Sequence, residues 1–361
     1  MKKIIFALTT ASFCTFAPLP AHAGSFEDGL AAFNAENYAT AYSLWKPLAE
    51  QGNKNAQNKL GNMYKEGLGV KKSSYGAVKW YRKAAEQGHA EAQYRLGNMY
   101  GTGHGVGRRD YKQAVNWYRK AAEQGYPEAQ YRLGTMFDMG RGVTKDAAQA
   151  LHWYRKAALL GNSSGQTAVG NRYRDGVGVT KSYPIAAKWY RKAANQGNAD
   201  AQLVLGFMHD KGLGVTQSNT EAAEWYRKSA EQGYPIAQGN LGFAYEQGRG
   251  VPQDYSQAIK WYRKAAEQSN PVAQYKLGKL YENGQGVTQS SSQAEYWYRK
   301  ASTLGLAQAS YAIGNIYFVG KGKTKSYIEA KKWFEISAAQ GFQPAKDMLK
   351  KSEFRYEFSA Q

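Results

Sequence analysis

The sequence predicts an all-α protein, a right-handed α-solenoid of helix-turn-helix repeats, on three observations. Every tryptophan falls on one ladder, at 45, 80, 117, 153, 189, 225, 261, 297 and 333, and from Trp80 onward the step is 36 residues, broken once by a step of 37. Each period holds two patterns with helical spacing and none with the alternation of a strand, which excludes a propeller. A Gly-x-Gly turn and then a Ser or Asp recur at the same places in each period. Composition agrees: 43% hydrophobic residues with 9 Trp and 28 Tyr in 361 can bury a substantial core, so disorder is excluded as the main state. A single Cys excludes a disulfide-stapled scaffold and a cysteine-rich zinc site.

The chain opens Met1-Lys2-Lys3, runs from Ile4 to Ala17 without a charge, and reaches Ala21-His22-Ala23. A cationic tip, an apolar run too short to span a bilayer and an A-x-A end predict a signal peptide over residues 1–23, cleaved after Ala23. Cys14 follows Phe13, where lipoprotein processing wants a small residue, so lipidation is not expected. Without residues 1–23 the chain has 338 residues, a formal charge of +18 and no cysteine. The expected product is a periplasmic or secreted protein without a membrane span.

Within each period the first pattern is Ala56-Gln57-Asn58-Lys59-Leu60-Gly61-Asn62-Met63-Tyr64 and its counterparts at Ala92, Ala129, Ala237, Ala273 and Ala309. Ala, Leu and Tyr at i, i+4 and i+8 share one face of a helix, helix A, and the small residues allow close approach. The turn Gly67-Leu68-Gly69-Val70 follows, its first Gly suited to the left-handed position that ends a helix and its Val able to pack back. No strand precedes these glycines and no third one opens a helix, so a phosphate loop is excluded. Helix B starts at Ser73, Asp110, Asp146, Ser182, Ser218, Asp254, Ser290 and Ser326, each seven residues before a Trp. Gln113, Gln149, Glu221, Gln257, Gln293 and Glu329 stand three residues after their caps and predict capping boxes. Ala77, Val78, Trp80, Tyr81, Ala84 and Ala85 then form a core face, with Lys79, Arg82 and Lys83 opposite.

The motifs Ala-Gln-x-x-Leu-Gly-x-x-Tyr, Gly-x-Gly-Val and Ala-x-x-Trp-Tyr-Arg-Lys-Ala-Ala-Glu-Gln-Gly resemble the Sel-one-like repeat (SLR) family, relatives of the tetratricopeptide repeat. Eight units match over residues 53–341. The resemblance implies a tetratricopeptide-like superhelix and an adaptor that holds another protein. Bacterial members look like envelope regulators, assembly factors for exported polysaccharide, or factors met by the host, including a binder of secretory immunoglobulin A. Residues 24–52 depart from the pattern, with Trp45 one place nearer the Ala49-Glu50-Gln51-Gly52 ending and Pro47 in the second helix, and read as an N-terminal capping pair. Residues 342–361 read as a polar C-terminal capping helix, with Lys346, Lys350 and Lys351 on it.

The net charge of +20 is not explained by the resemblance. Glu86, Glu123, Glu231 and Glu267 follow an Arg by four residues and are expected to offset it. Uncompensated charge is expected around Arg155-Lys156, Arg191-Lys192, Arg299-Lys300 and Lys331-Lys332, as a solvated face or a surface for an anionic partner, an acidic protein or an envelope polymer. Nucleic acid is not expected as a partner of an exported chain, although Tyr and Arg interleave.

Catalysis has little support, and no cofactor or metal is expected. His89, His104, His152 and His209 occupy four different repeat positions without metal-ligand spacing, and His209, in the place of the helix A Tyr, reads as a core histidine. Ser43-Leu44-Trp45-Lys46 matches Ser-x-x-Lys, and some cysteine-rich SLR relatives are associated with β-lactam binding or hydrolysis, but S-D-N, K-T-G and the cysteines are absent. The binding surface is expected where repeats differ. Six places after the core Ala of helix A stand Asn62, Asn98, Thr135, Asn171 and Asn315, which implies contact with water, whereas two consecutive units carry Phe207 and Phe243. With Leu203 and Tyr275, and flanked by Lys276 and Lys279, they predict an apolar strip for a protein partner on the concave side, with tighter packing between repeats as the alternative.

Overall fold

A computed structural model describes residues 25–354. The expected signal peptide and its cleavage site lie outside the described residues. Among the latter there are nineteen α-helices, one 3-10 helix and no strand. The helices fall into two compact units, Met1–Lys145 and Asp146–Gln361. The first contains α1 (Phe26–Asn34), α2 (Tyr38–Glu50), α3 (Lys54–Glu66), α4 (Ser74–Glu86), α5 (Ala90–Thr102), α6 (Tyr111–Glu123) and α7 (Pro127–Met139). The second contains α8 (Ala147–Leu159), α9 (Ser163–Asp175), α10 (Tyr183–Asn195), α11 (Ala199–Lys211), α12 (Asn219–Glu231), α13 (Pro235–Gln247), α14 (Tyr255–Glu267), α15 (Pro271–Asn283), α16 (Ser291–Thr303), α17 (Ala307–Val319), α18 (Tyr327–Ala339) and α19 (Gln343–Met348). The 3-10 helix Ser352–Phe354 follows.

Odd-numbered helices from α3 to α17 are the A helices, even-numbered ones from α4 to α18 the B helices, and each is 13 residues long because both ends are encoded. The first glycine of the turn stops the A helix in the left-handed region, from φ 65° at Gly140 to 85° at Gly103. All eight expected Ser and Asp residues cap B helices, accepting the N–H three residues on. The reciprocal half of the expected capping box does not form on them. The Glu221 carboxylate lies 3.1 Å from His209 and the Glu329 carboxylate 2.6 Å from Lys332, so these side chains serve other partners. The full box is made at α1, by Ser25 and Asp28.

Core packing uses the small residues as expected. Ala56, Leu60, Ala77, Tyr81 and Ala84 are fully buried, and their equivalents form one cluster after another. A Cβ on Gly242 would stand 2.7 Å from the Tyr262 ring, so this glycine makes room for the B-helix tyrosine. Adjacent repeats are tied by glutamines: Gln57 Nε2 donates to Ala49 O at 2.9 Å, and Gln87 Nε2 donates to Gln57 Oε1 at 2.8 Å. At the start of the fold Trp45 is fully buried, donates to Phe26 O at 3.0 Å, and packs against the Phe26 and Phe33 rings. At the far end Phe354 closes onto Phe318 and Phe334, with centroids 5.6 and 5.7 Å apart.

Candidate functional site

Each B helix buries an aromatic residue beside its Trp, and where this is Tyr the hydroxyl needs an acceptor. Tyr81, Tyr118 and Tyr190 donate to Asn62, Asn98 and Asn171 at 2.7, 2.8 and 2.6 Å. These asparagines were expected to signal contact with water; they are half-buried, and their side-chain carbonyls also hold the tyrosine. In the later repeats, where Phe207, Phe243 and Lys279 replace the Asn, a carboxylate stands three residues further on: Asp210, Glu246 and Glu282. Tyr262 donates to Glu246, and Tyr298 donates to Glu282 at 2.6 Å. Burial, reinforced by the carboxylate acceptor, pushes the Tyr262 and Tyr298 hydroxyls far above the ordinary tyrosine value, so both stay protonated donors.

At Tyr262 and Tyr298 the moved acceptor frees the six-place position, held by Phe243 and Lys279. Phe207 is 45% and Phe243 37% exposed. The relocated carboxylates bind cations of the following repeat: Asp210 to Arg249 at 2.8 Å, Glu246 to Lys276 at 3.2 Å, and Glu282 to Lys321 at 3.5 Å. Lys276 Nζ lies 5.1 Å from the Phe243 ring centroid and Arg249 Cζ 6.0 Å, so cations flank this ring. A cavity of about 50 Å³ beside Phe243 is lined by Asp210, Asn219, Tyr226, Asn240 and Arg249. It is of a size to take a water molecule.

The other expected strip residues are less free. Leu203 is half-buried against the cluster of Ala222, Tyr226 and Leu241. Tyr275 packs at a tilt on Tyr298, with centroids 5.5 Å apart, and belongs to the packing around that ring. Lys279 pairs with Glu282 at 3.2 Å on its own helix. The strip therefore reduces to Phe207 and Phe243 with a charge-neutralised frame. Asp210, Glu246, Glu282 and Arg249 were missed from the sequence, although three carboxylates 36 residues apart, appearing where the Asn is lost, were a readable signal.

The basic face of the B helices also differs from expectation. No ion pair among the described residues joins Arg82 to Glu86, Arg227 to Glu231 or Arg263 to Glu267. These guanidiniums donate instead to the Tyr100, Tyr245 and Tyr281 hydroxyls, at 2.8, 3.0 and 2.8 Å. The charges expected to be uncompensated are also engaged: Arg155 donates to Tyr173, Arg299 pairs with Glu295 at 2.6 Å, and Lys332 pairs with Glu329. Lys83, Lys120, Lys156, Lys192, Lys228, Lys264 and Lys300 lie 4.2 to 5.3 Å from the ring centroid of the Trp three residues before them. The tyrosine hydroxyls come from the A helix of the next repeat, which a helical wheel of the B helix cannot display, whereas the Trp ring lies one turn back on the same helix.

His209 is 2% exposed and satisfied, with Arg191 Nη2 at 3.1 Å, Thr216 O at 3.3 Å and the Glu221 carboxylate at 3.1 Å. The Ser43 hydroxyl donates back to Thr40 O at 2.8 Å, and Lys46 turns over the Tyr42 ring.

Helical pairs repeated every 36 residues, stacked through small core residues and inter-repeat glutamines, define an α-solenoid scaffold, the class that mediates protein–protein interaction. The Sel1 repeat model matches residues 54–89, 90–126, 127–162, 163–198, 199–234, 235–270, 271–306 and 307–342, and the chain belongs to this family. It is similar to a protective antigen of uropathogenic Escherichia coli with an SLR fold, at 41% identity and a TM-score of 0.80, over 85% of this chain and 66% of that one. The chain thus spans just under two thirds of the antigen's length. It is also similar to a Sel1 repeat protein from Oxalobacter formigenes, at 30% identity and a TM-score of 0.61, over 95% of this chain and 97% of that one. No curated protein matches the chain. No helix among the described residues is long and apolar enough to cross a membrane.

Proposed function

We propose that this protein is an exported, non-catalytic adaptor that binds another protein through the concave face of its solenoid, with Phe207 and Phe243 at the centre of the contact. The observation that carries the reading is the relocated hydrogen bond. Tyr262 keeps an acceptor in Glu246 without the Asn, so Phe243 at the vacated position is not needed to hold the B-helix tyrosine, and Phe207 stands exposed at the same position one repeat earlier. Exposed aromatic side chains framed by ion pairs suit a protein partner, because they bury large area at low conformational cost. Leu203, Tyr275, Lys276 and Lys279 form the margin of this surface.

The export half of the reading rests on the start of the sequence, and likeness to a protective antigen supports an envelope or host-facing role. Intact-mass measurement of the extracytoplasmic protein is expected to give a chain beginning at Gly24; a chain that keeps Met1 in a membrane fraction would overturn export. For the binding half, mature wild-type protein and the Phe207→Ser/Phe243→Ser variant are compared as baits, on bacterial envelope extract and on host secretions. A partner held by wild type and lost by the variant at unchanged melting temperature is the expected result. A fall of many degrees, with affinity preserved in the folded fraction, leaves only a packing role. Turnover of a β-lactam that Ser43→Ala abolishes would overturn the non-catalytic reading.

A further inference from the structure

Helix α4 and the connection between α5 and α6, in the first of the two units, enclose a groove of about 550 Å³ lined by Tyr75, Lys79, Arg82, Lys83, Gly105 and Gly107 among others. Two features set this repeat apart. The connection carries the one extra residue of the 37-residue step, at an exposed Gly107 with φ 84°, and the exposed Arg108 and Arg109 follow directly. Tyr75 is 75% exposed, and its equivalents in the other repeats are Lys112, Ala148, Pro184, Thr220, Ser256, Ser292 and Ile328, none of them aromatic.

The lining is unbalanced in charge, with Lys79, Arg82 and Lys83 against Glu86 alone. Arg82 uses one nitrogen on the Tyr100 hydroxyl, and Lys83 lies 5.0 Å from the centroid of Trp80, which leaves donors on both cations. The Tyr75 ring makes no hydrogen bond or ring contact among the described residues. The opposite wall is Gly105, Val106 and Gly107, with Val106 its one side chain, and a Cβ added at Gly107 would meet nothing within 4 Å. A flat apolar ring beside cations, opposite a wall of two glycines and Val106, suits a pyranose: its C–H face lies on the ring while an acidic substituent reaches the cations. An acidic peptide would satisfy the cations and leave the tyrosine face unused.

We propose that this groove binds an acidic saccharide, a pyranose bearing a carboxylate, with the sugar ring on Tyr75 and the carboxylate on Lys79 and Arg82. The site is independent of the protein-binding face. The test is calorimetric titration of the mature protein at low salt with trigalacturonate, 3′-sialyllactose, maltotriose and a tri-glutamate peptide. One of the two acidic sugars is expected to bind, identifying a uronate or a sialate source, and to weaken as salt rises. Tyr75→Ala and Lys79→Glu, both at exposed positions, are expected to weaken it by about fivefold or more at unchanged melting temperature. Phe207→Ser/Phe243→Ser is expected to leave it unchanged, so either site can fail without the other. Binding of neither acidic sugar, equal binding of maltotriose or of the peptide, or an affinity untouched by Tyr75→Ala would each overturn the proposal.

Discussion

Gln274 is 3% exposed and donates from Nε2 to Ala266 O at 2.9 Å, but its Oε1 has no donor among the described residues. In the two preceding repeats the equivalent oxygens of Gln202 and Gln238 accept from Gln232 and Gln268, at 2.8 and 2.9 Å. The corresponding residue one repeat on is Leu304, 48% exposed. An orphaned buried acceptor costs about 1–3 kcal/mol, while the hydrogen bond itself is worth about 1 kcal/mol. Leu304→Gln is therefore expected to raise stability by about 0.5–1.5 kcal/mol, read as a higher urea midpoint at an unchanged slope. No change, or a loss, would mean that the new amide fails to reach Gln274.

The connection between helices A and B contains two glycines that act differently from the glycine closing helix B. Gly69 has φ 67°, and a Cβ there would stand 2.5 Å from Tyr38 O at the start of the preceding B-type helix. Gly88 has φ 80° and would meet nothing within 4 Å. Gly88→Ala is expected to cost about 1 kcal/mol, the strain of a left-handed alanine. Gly69→Ala adds a collision with fixed backbone and is expected to cost about 3 kcal/mol or more. Thermal unfolding of the pair separates the two effects, and equal costs would show that the repeats shift apart freely.

Across the molecule, charge is buried where repeats meet, and this makes stability depend on pH. Burial alone would raise the Glu282 and Glu295 carboxyls, but Tyr298 and Lys279 outweigh it for the first, and Lys323 and Arg299 for the second, so both lie below the ordinary carboxylate value. A depressed folded value means that this stability is complete above the unfolded value of about 4.3 and is lost as pH falls through the folded values. The melting temperature of wild type is expected to drop on acidification below about pH 4.5, and Glu282→Gln/Glu295→Gln to be less stable at pH 7 with a flatter acid limb. An unaltered acid limb in the variant would assign the acid sensitivity to other carboxylates. Because a repeat contacts only its neighbours, deletion of residues 343–361 is expected to fray the end while most helical signal survives. Complete loss of helix in the soluble truncated protein would contradict that additivity.

The period was legible because the same motifs return every 36 residues, and the helix ends and the buried face because each is set by residues close together in sequence. Gly67 stops α3, Ser73 caps α4, and Ala77, Trp80, Tyr81 and Ala84 share a face at helical spacing. The exposed Phe207 and Phe243 were legible for the same reason, as departures from a repeated position. What the tertiary structure decided was the partner of each polar side chain: Arg82 with Tyr100 rather than Glu86, Glu221 with His209 rather than its own cap, Asn62 with Tyr81, and Glu246 with Lys276. These partners lie from 12 to 30 residues apart in sequence, on another helix of the same or the next repeat. A long polar side chain takes the strongest acceptor or donor within reach in space, and periodicity along a single helix carries no information about which group the neighbouring helix brings there.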